Sequence, residues 1–309
     1  MEQEFSSVSA MKLFKNPCPD QLTFIDLEGP DARDFLSRMG SADIGSLKIG
    51  HGCRNCFLQS NGRILSYQKV WRISENHYQL FVPCQQNEDW ARKTCELIEK
   101  FHFSEDMTIS ALQKTAFQIL ISEPNDQPQR DPWTLEPLDT GLTVQWEDNL
   151  EYGQLSGLIT GDASQISAWI AQNEIGHSSE DPEALRILSI FPSIDYEIRE
   201  EVLPLEINLL SAISQQKGCY PGQEVIEKII SLAGEPPRKL VRFSVLEGTK
   251  ALLPGEPLYS GDSPEKEVGR ITNPAGLAIV KKRAAVQGGI LATSGGTRLR
   301  IEALSSMSG

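Results

Sequence analysis

Lys217-Gly-Cys-Tyr-Pro-Gly-Gln-Glu224 places an ammonium, a thiol, a phenol, a carboxamide and a carboxylate within eight consecutive positions. Pro221-Gly222 forces a turn, and Val225, Ile226, Ile229 and Ile230 then recur at helical spacing, so a helix is expected just beyond it. A thiol ahead of a helix N-terminus and near an ammonium is favoured as thiolate. Gly218 lets the backbone approach a ligand or take positive φ. The stretch therefore reads as a reactive or coordinating Cys219 with Lys217 as its activating cation. The alternative is a turn in which Cys219 is a small apolar filler.

Other constellations are weaker. Cys53-Arg-Asn-Cys56 has the spacing of a thiol redox pair or of half a zinc site, but no second pair exists. It also runs into a strand instead of opening a helix. His51, His77, His102 and His177 are isolated and show no metal-ligand spacing, so no metal site is expected. No dinucleotide-binding glycine loop and no phosphate loop is present.

Composition narrows the class. The 309 residues carry a net charge of −13, which speaks against a general nucleic-acid binder. Six scattered cysteines in a chain of this size fit reduced thiols in a cytoplasm. No secretory signal is read at the N-terminus and no apolar run reaches membrane-spanning length, so neither membrane nor nucleic acid is an expected partner.

The elements that must position the loop follow from periodicity. Leu22 to Leu27 is a strand and Asp31 to Met39 a helix. Asn61-Gly62 joins two strands, in the pattern of a type I′ hairpin. HYQLFV continues the sheet, a helix follows from Asn87, and MTISAL and TAFQILI are two further strands. GLTVQW and GLIT are strands; Asp162 and then Asp181-Pro182 each open a helix. Beyond Pro236-Pro237, short strands parted by Gly and Pro predict a small β-barrel. The expected division is 1–122, an α+β domain; 123–235, a second α+β domain with the Cys219 loop; and 236–309, the barrel.

KGCYPGQE resembles the KGCYxGQE signature of the YgfZ-type folate-binding proteins, which are related to the glycine-cleavage aminomethyltransferase, or T-protein. LPLEINL at 203–209 resembles the P-x-E-x-x-L segment upstream of that signature. SNGRIL at 60–65 resembles the first-domain hairpin, and VGRIT with GLAIVKKR resembles the C-terminal barrel. The resemblance implies an α+β, three-domain aminomethyltransferase-like fold with a tetrahydrofolate site. It implies a protein that supports iron–sulfur client enzymes or assembly proteins.

Carried onto this chain, Glu206 contacts the pterin, and Asn208, Tyr220, Gln223, Glu224, Lys228 and Arg238 complete the folate-binding set. Asp195 stands near an upstream G-x-D position, and Ile190 stands where a glycine is expected. Ser66 and Tyr67 occupy the place of the T-protein's acidic residue, which argues against a conventional aminomethyltransferase. The rival readings are a folate-dependent aminomethyltransferase or demethylase, a pure folate-binding scaffold, and a thiol oxidoreductase using Cys53 and Cys56.

Overall fold

The computed structural model describes residues 11–13, 22–83, 89–121, 130–138, 141–248, 250–261 and 263–305. Cys18, Cys84 and the first residues of the chain lie outside them. The chain divides into two compact units: Met1–Leu36, Ile44–Cys53 and Gln68–Leu185, and then Ser37–Asp43, Arg54–Tyr67 and Arg186–Gly309.

The first half supplies β1 (Met11–Leu13), β2 (Leu22–Glu28), α1 (Ala32–Met39), β3 (Gly52–Leu58), β4 (Ile64–Ser74), β5 (His77–Phe81) and α2 (Asp89–Phe101). After these come β6 (Thr108–Ile121), β7 (Leu135–Pro137), β8 (Thr143–Glu147), β9 (Ser156–Gly161), α3 (Ala163–Gln172) and β10 (Gly176–His177). The strands form one sheet in the order β3-β4-β5-β2-β6-β9-β8-β7, with β1 paired to β6 and β10.

MTISAL and TAFQILI, expected as two strands, are one. The first part of β6 pairs with β2 through Lys114 and the rest pairs with β9 from Thr115 onward. The polar Gln113-Lys114 step marks a change of partner, and no glycine or proline is present to turn the chain there.

Within the first unit the sheet curls. Gln145 Nε2 in β8 donates to Gln79 Oε1 in β5 at 3.0 Å, although β2, β6 and β9 stand between them in the sheet. Four strand spacings laid flat would be ~19 Å. An isolated bridge between His51 and Thr134 joins the two ends of this sheet. The enclosed face is mixed: Asp26, Lys69, Gln79, Gln118, Gln145 and Glu147 are buried there beside an apolar cluster of Leu22, Phe24, Phe81, Ala116 and Leu158. The other face is apolar: Val144, Trp146 and Ile159 pack with Ile166 and Trp169 of α3. Asp162 caps α3 as expected, accepting from the Ser164 and Gln165 amides at 2.9 and 3.3 Å.

The second unit carries the tip of the β3–β4 hairpin, α4 (Pro182–Leu188) from Arg186 onward, and α5 (Gln223–Lys228). The hairpin differs from a type I′ turn. Gly62 has φ 79° but Asn61 does not take positive φ. The Gly62 amide donates to the Gln59 carbonyl at 2.9 Å and the Gln59 amide to the Arg63 carbonyl at 2.8 Å. This is a type I turn followed by a left-handed glycine.

Strands β11 (Arg238–Glu247), β12 (Pro257–Ser260), β13 (Ser263–Asn273), β14 (Leu277–Lys281), β15 (Ile290–Thr293) and β16 (Arg298–Leu304) close a barrel in the order β11-β14-β13-β12-β15-β16. Its interior is filled by Val241, Phe243, Leu258, Ile271, Val280 and Leu299, among others. Closure removes free edges from these short strands.

Candidate functional site

The KGCYPGQE loop runs into α5, and a π-helical turn over Ile229–Ala233 continues it. The apolar spacing of Val225 to Ile230 is thus helical, as expected. Cys219 is a free thiol and is exposed; Gly218 beside it faces open space.

What surrounds the thiol is fixed. Lys217 Nζ donates to the carbonyls of Ser37 at 2.6 Å, of Ala42 at 3.0 Å, and of Gly40. An ammonium has three N–H donors, so these carbonyls take all of them. The same nitrogen lies 5.2 Å from the centre of the Tyr220 ring. Lys217 therefore anchors the loop to residues 37–42 at and beyond the end of α1. Ser41 extends that anchorage, since its hydroxyl donates to the Ala212 carbonyl at 2.6 Å and accepts from the Cys56 amide at 3.0 Å.

On the far side of Cys219, the Tyr220 amide donates to Gln223 Oε1 at 3.4 Å and Gln223 Nε2 donates to Glu227 at 2.7 Å. Burial pushes the Tyr220 phenol up to about 12, helped by the negative charge of Glu227 and by Cys56. Gly222 takes φ 83°, and a Cβ there would meet the Gln59 carbonyl oxygen at 2.5 Å. A Cβ on Gly62 would in turn sit 3.2 Å from Val225 and 3.3 Å from Leu203. The loop glycine and the hairpin glycine permit one close approach.

Glu206 lies in a 3-10 turn, Pro204–Ile207, and is buried. Its carboxylate accepts from Arg238 Nε at 2.7 Å, from Arg238 Nη2 at 2.6 Å, and from the Leu203 amide at 3.0 Å. The paired carboxylate holds the Arg238 proton more tightly than usual, against the opposing effect of burial. Sequence reasoning gave Glu206 and Arg238 separate tasks; the fold makes them a bidentate pair. Asn208 follows in a left-handed conformation with φ 66°, its Nδ2 donating to the Ile190 carbonyl at 3.3 Å. Glu224 and Lys228 are exposed on α5.

Ile190 has φ 52°. A β-branched residue is strained there and glycine is not, which gives the physical reason for a glycine at that position. Asp195 contributes its backbone carbonyl to Arg199.

Ser66 and Tyr67 are both buried in β4. Cys53 and Cys56 are three positions apart in β3, so they face opposite sides of the strand. Burial alone raises the Cys56 thiol well above its usual range. That geometry disfavours a closing disulfide.

Sequence reasoning missed two features of the second unit. Arg186 and Glu197 form a buried ion pair at 3.0 Å that fixes the chain around residue 193, where Glu197 also accepts the Ser193 amide. A cavity of about 430 Å³ lies between residues 196–202 and the barrel, lined by Arg199, Glu201, Arg238, Glu267 and Arg270 among others. Of these charges only Arg238 lies near Pro236-Pro237 in the sequence, and the others come from segments far apart in the chain.

The chain has the aminomethyltransferase T fold. The glycine-cleavage aminomethyltransferase T of Bartonella henselae superposes with a TM-score of 0.74 over 95% of this chain and 85% of that one, at 18% identity. No family model matches the chain. A chloroplastic protein of Arabidopsis thaliana that carries a transferase name is 24% identical over 84% of the chain; the match spans 64% of that protein, just under two thirds of its length. An aminomethyltransferase of Chlorobium luteolum is 25% identical over 79% of the chain and 70% of its own length. The tRNA-modifying protein YgfZ of Buchnera aphidicola is 50% identical over 48 residues, 15% of each chain. The chain is related to the YgfZ-like and T-protein group. Among the described residues no helix is long and apolar enough to cross a membrane.

Proposed function

We propose that this protein binds tetrahydrofolate or a related folate and uses Cys219 to assist assembly or repair of iron–sulfur clusters in client enzymes. One observation carries the reading: an exposed free thiol on a loop held down on both sides, by Lys217 and by Tyr220 with Gln223. An idle cysteine needs no such support, and a thiol that meets partner molecules needs to be both rigid and exposed.

In this reading Lys217 positions the loop, because its donors are engaged with carbonyls. Glu206 offers the pterin one acceptor position on Oε1, since a carboxylate oxygen accepts two hydrogen bonds and Oε2 already receives two. Arg238 holds that carboxylate in place, and Asn208, Tyr220, Gln223, Glu224 and Lys228 line the approach. The chemistry needs a reducing compartment such as the cytoplasm, and the chloroplastic relative makes a plastid equally compatible.

Calorimetry with tetrahydrofolate tests the folate half. Wild type and Cys219→Ser should bind alike and Glu206→Gln at least tenfold more weakly. Absence of binding by the wild type refutes that half. Activity of iron–sulfur enzymes in cells carrying Cys219→Ser tests the other half and should fall to the level of the deletion.

The relation to the Chlorobium aminomethyltransferase favours a second reading, folate-dependent aminomethyl transfer. Turnover of tetrahydrofolate with a methylamine donor would establish it. Ser66 and Tyr67, uncharged where the T-protein has an acid, count against it.

A further inference from the structure

Asp26, Glu28 and His77 converge at the end of the β2–β5 pair, in the first unit and apart from the Cys219 loop. Antiparallel register places His77 directly opposite Glu28 and Gln79 opposite Asp26. Asp26 and Glu28 are two positions apart, so they share the sheet face on which His77 also stands. One donor atom from each residue lies within 4.8 Å of the others. His77 Nε2 is 3.3 Å from Asp26 Oδ1 and 3.6 Å from Glu28 Oε1.

We infer that these three side chains form a binding site for a divalent first-row cation. Two ligands at about 2.1 Å from a tetrahedral ion stand roughly 3.4 Å apart, which is the separation of the imidazole nitrogen from each carboxylate. Two carboxylates balance the charge of a divalent ion, and a mixed imidazole–carboxylate set suits zinc, manganese or ferrous iron.

A second observation points to a ligand. His77 Nε2 is shielded from solvent and makes no hydrogen bond among the described residues, despite its nearness to both carboxylates. A buried ring nitrogen without a hydrogen bond is costly, and a cation between it and the two oxygens removes that cost.

The support is ordered as metal ligands require. Gln79 Nε2 donates to Asp26 Oδ1 at 2.8 Å and Gln145 Nε2 donates to Gln79 Oε1 at 3.0 Å, so the buried carboxylate is oriented by a fixed chain of amides. The Gly29 amide donates to the Asn76 carbonyl at 2.9 Å, tying the start of β5 to the end of β2. Across β6, Asp26 and Glu28 face the uncharged Ser110 and Thr108. Asp26 is buried and Glu28 exposed, with side-chain accessibilities of 5% and 59%, so the outer coordination positions open to water.

Titration of the full-length protein near pH 7.5 tests the site, with Zn²⁺ followed by calorimetry in a Cys219→Ser background and Mn²⁺ followed by electron paramagnetic resonance. Thiolates bind Mn²⁺ poorly, so the second probe separates this site from the cysteines. One ion per chain is expected for each metal, with affinity reduced at least tenfold in both His77→Ala and Glu28→Gln. Neither residue is deeply buried, and unchanged circular dichroism confirms folding. A wild type that binds neither ion stoichiometrically overturns the proposal. So do variants that bind both ions as tightly as wild type.

Discussion

Two lysines, one in each unit, show two ways of treating a sequestered charge. Lys69, in the curled sheet of the first unit, is buried and meets Glu147 at 2.6 Å and Glu151 at 2.9 Å. Lys217, in the second unit, is half-buried and donates to three backbone carbonyls, with the Tyr220 ring 5.2 Å away. The first is a set of formal charges, one ammonium between two carboxylates. The second is a charge held mainly by peptide dipoles. A lysine held by carboxylates stabilises a core; a lysine held by carbonyls fixes the course of the chain, here beside an exposed thiol.

The sharpest way to break this comparison is Lys69→Met. It leaves two carboxylates facing each other in a buried site and should cost about 3–5 kcal/mol, read by urea denaturation. Adding Glu147→Gln should return part of the loss. Lys69→Met with stability near wild type would remove the distinction.

Gly222→Ala comes next. Its φ of 83° and the 2.5 Å approach to the Gln59 oxygen predict a loss of about 2–3 kcal/mol in the same assay. Lys217→Met should cost about 2 kcal/mol, because it strips charge-assisted hydrogen bonds from partly buried carbonyls. Cys219 in that variant should also react faster with a bulky thiol reagent, since its loop is released.

A pH measurement sharpens the picture further. The Tyr220 phenol is raised in the folded state from 10.0 to about 12, so the native protein holds that proton longer than the unfolded chain. The contribution is complete below pH 10 and is lost as pH rises toward 12. Cys56, raised by burial, acts in the same direction from about pH 9 upward. Stability should therefore fall through the alkaline range, and Tyr220→Phe should flatten the part of that fall above pH 10. The smallest effect belongs to Gly218→Ala, whose Cβ meets nothing within 4 Å; its stability should stay within about 0.5 kcal/mol of wild type.

Much of this was legible from local chemistry. Alternating apolar residues marked β2 and β5, Asp162 and Asp181-Pro182 marked helix starts, and Gly-Pro punctuation marked the barrel strands. Each of these signals acts over a few residues, and tertiary context did not override them. The Asn61-Gly62 hairpin was legible as a hairpin but not in its turn type, because packing of Gly62 between Leu203 and Val225 is a long-range constraint. The break expected inside β6 failed for a related reason: a polar pair reads as a turn unless one knows that two different strands lie along it.

The candidate site divides the same way. The sequence alone set Lys217, Cys219, Tyr220 and Gln223 beside one another, since they are neighbours in the chain. Only the tertiary structure decided that Lys217 spends its donors on residues 37–42, that Glu206 is clasped by Arg238, and that Ile190 occupies a backbone conformation made for glycine. It alone brought His77 to Asp26 and Glu28. Strand register makes neighbours of residues far apart in sequence, and no spacing rule along the chain encodes which strand will lie beside which.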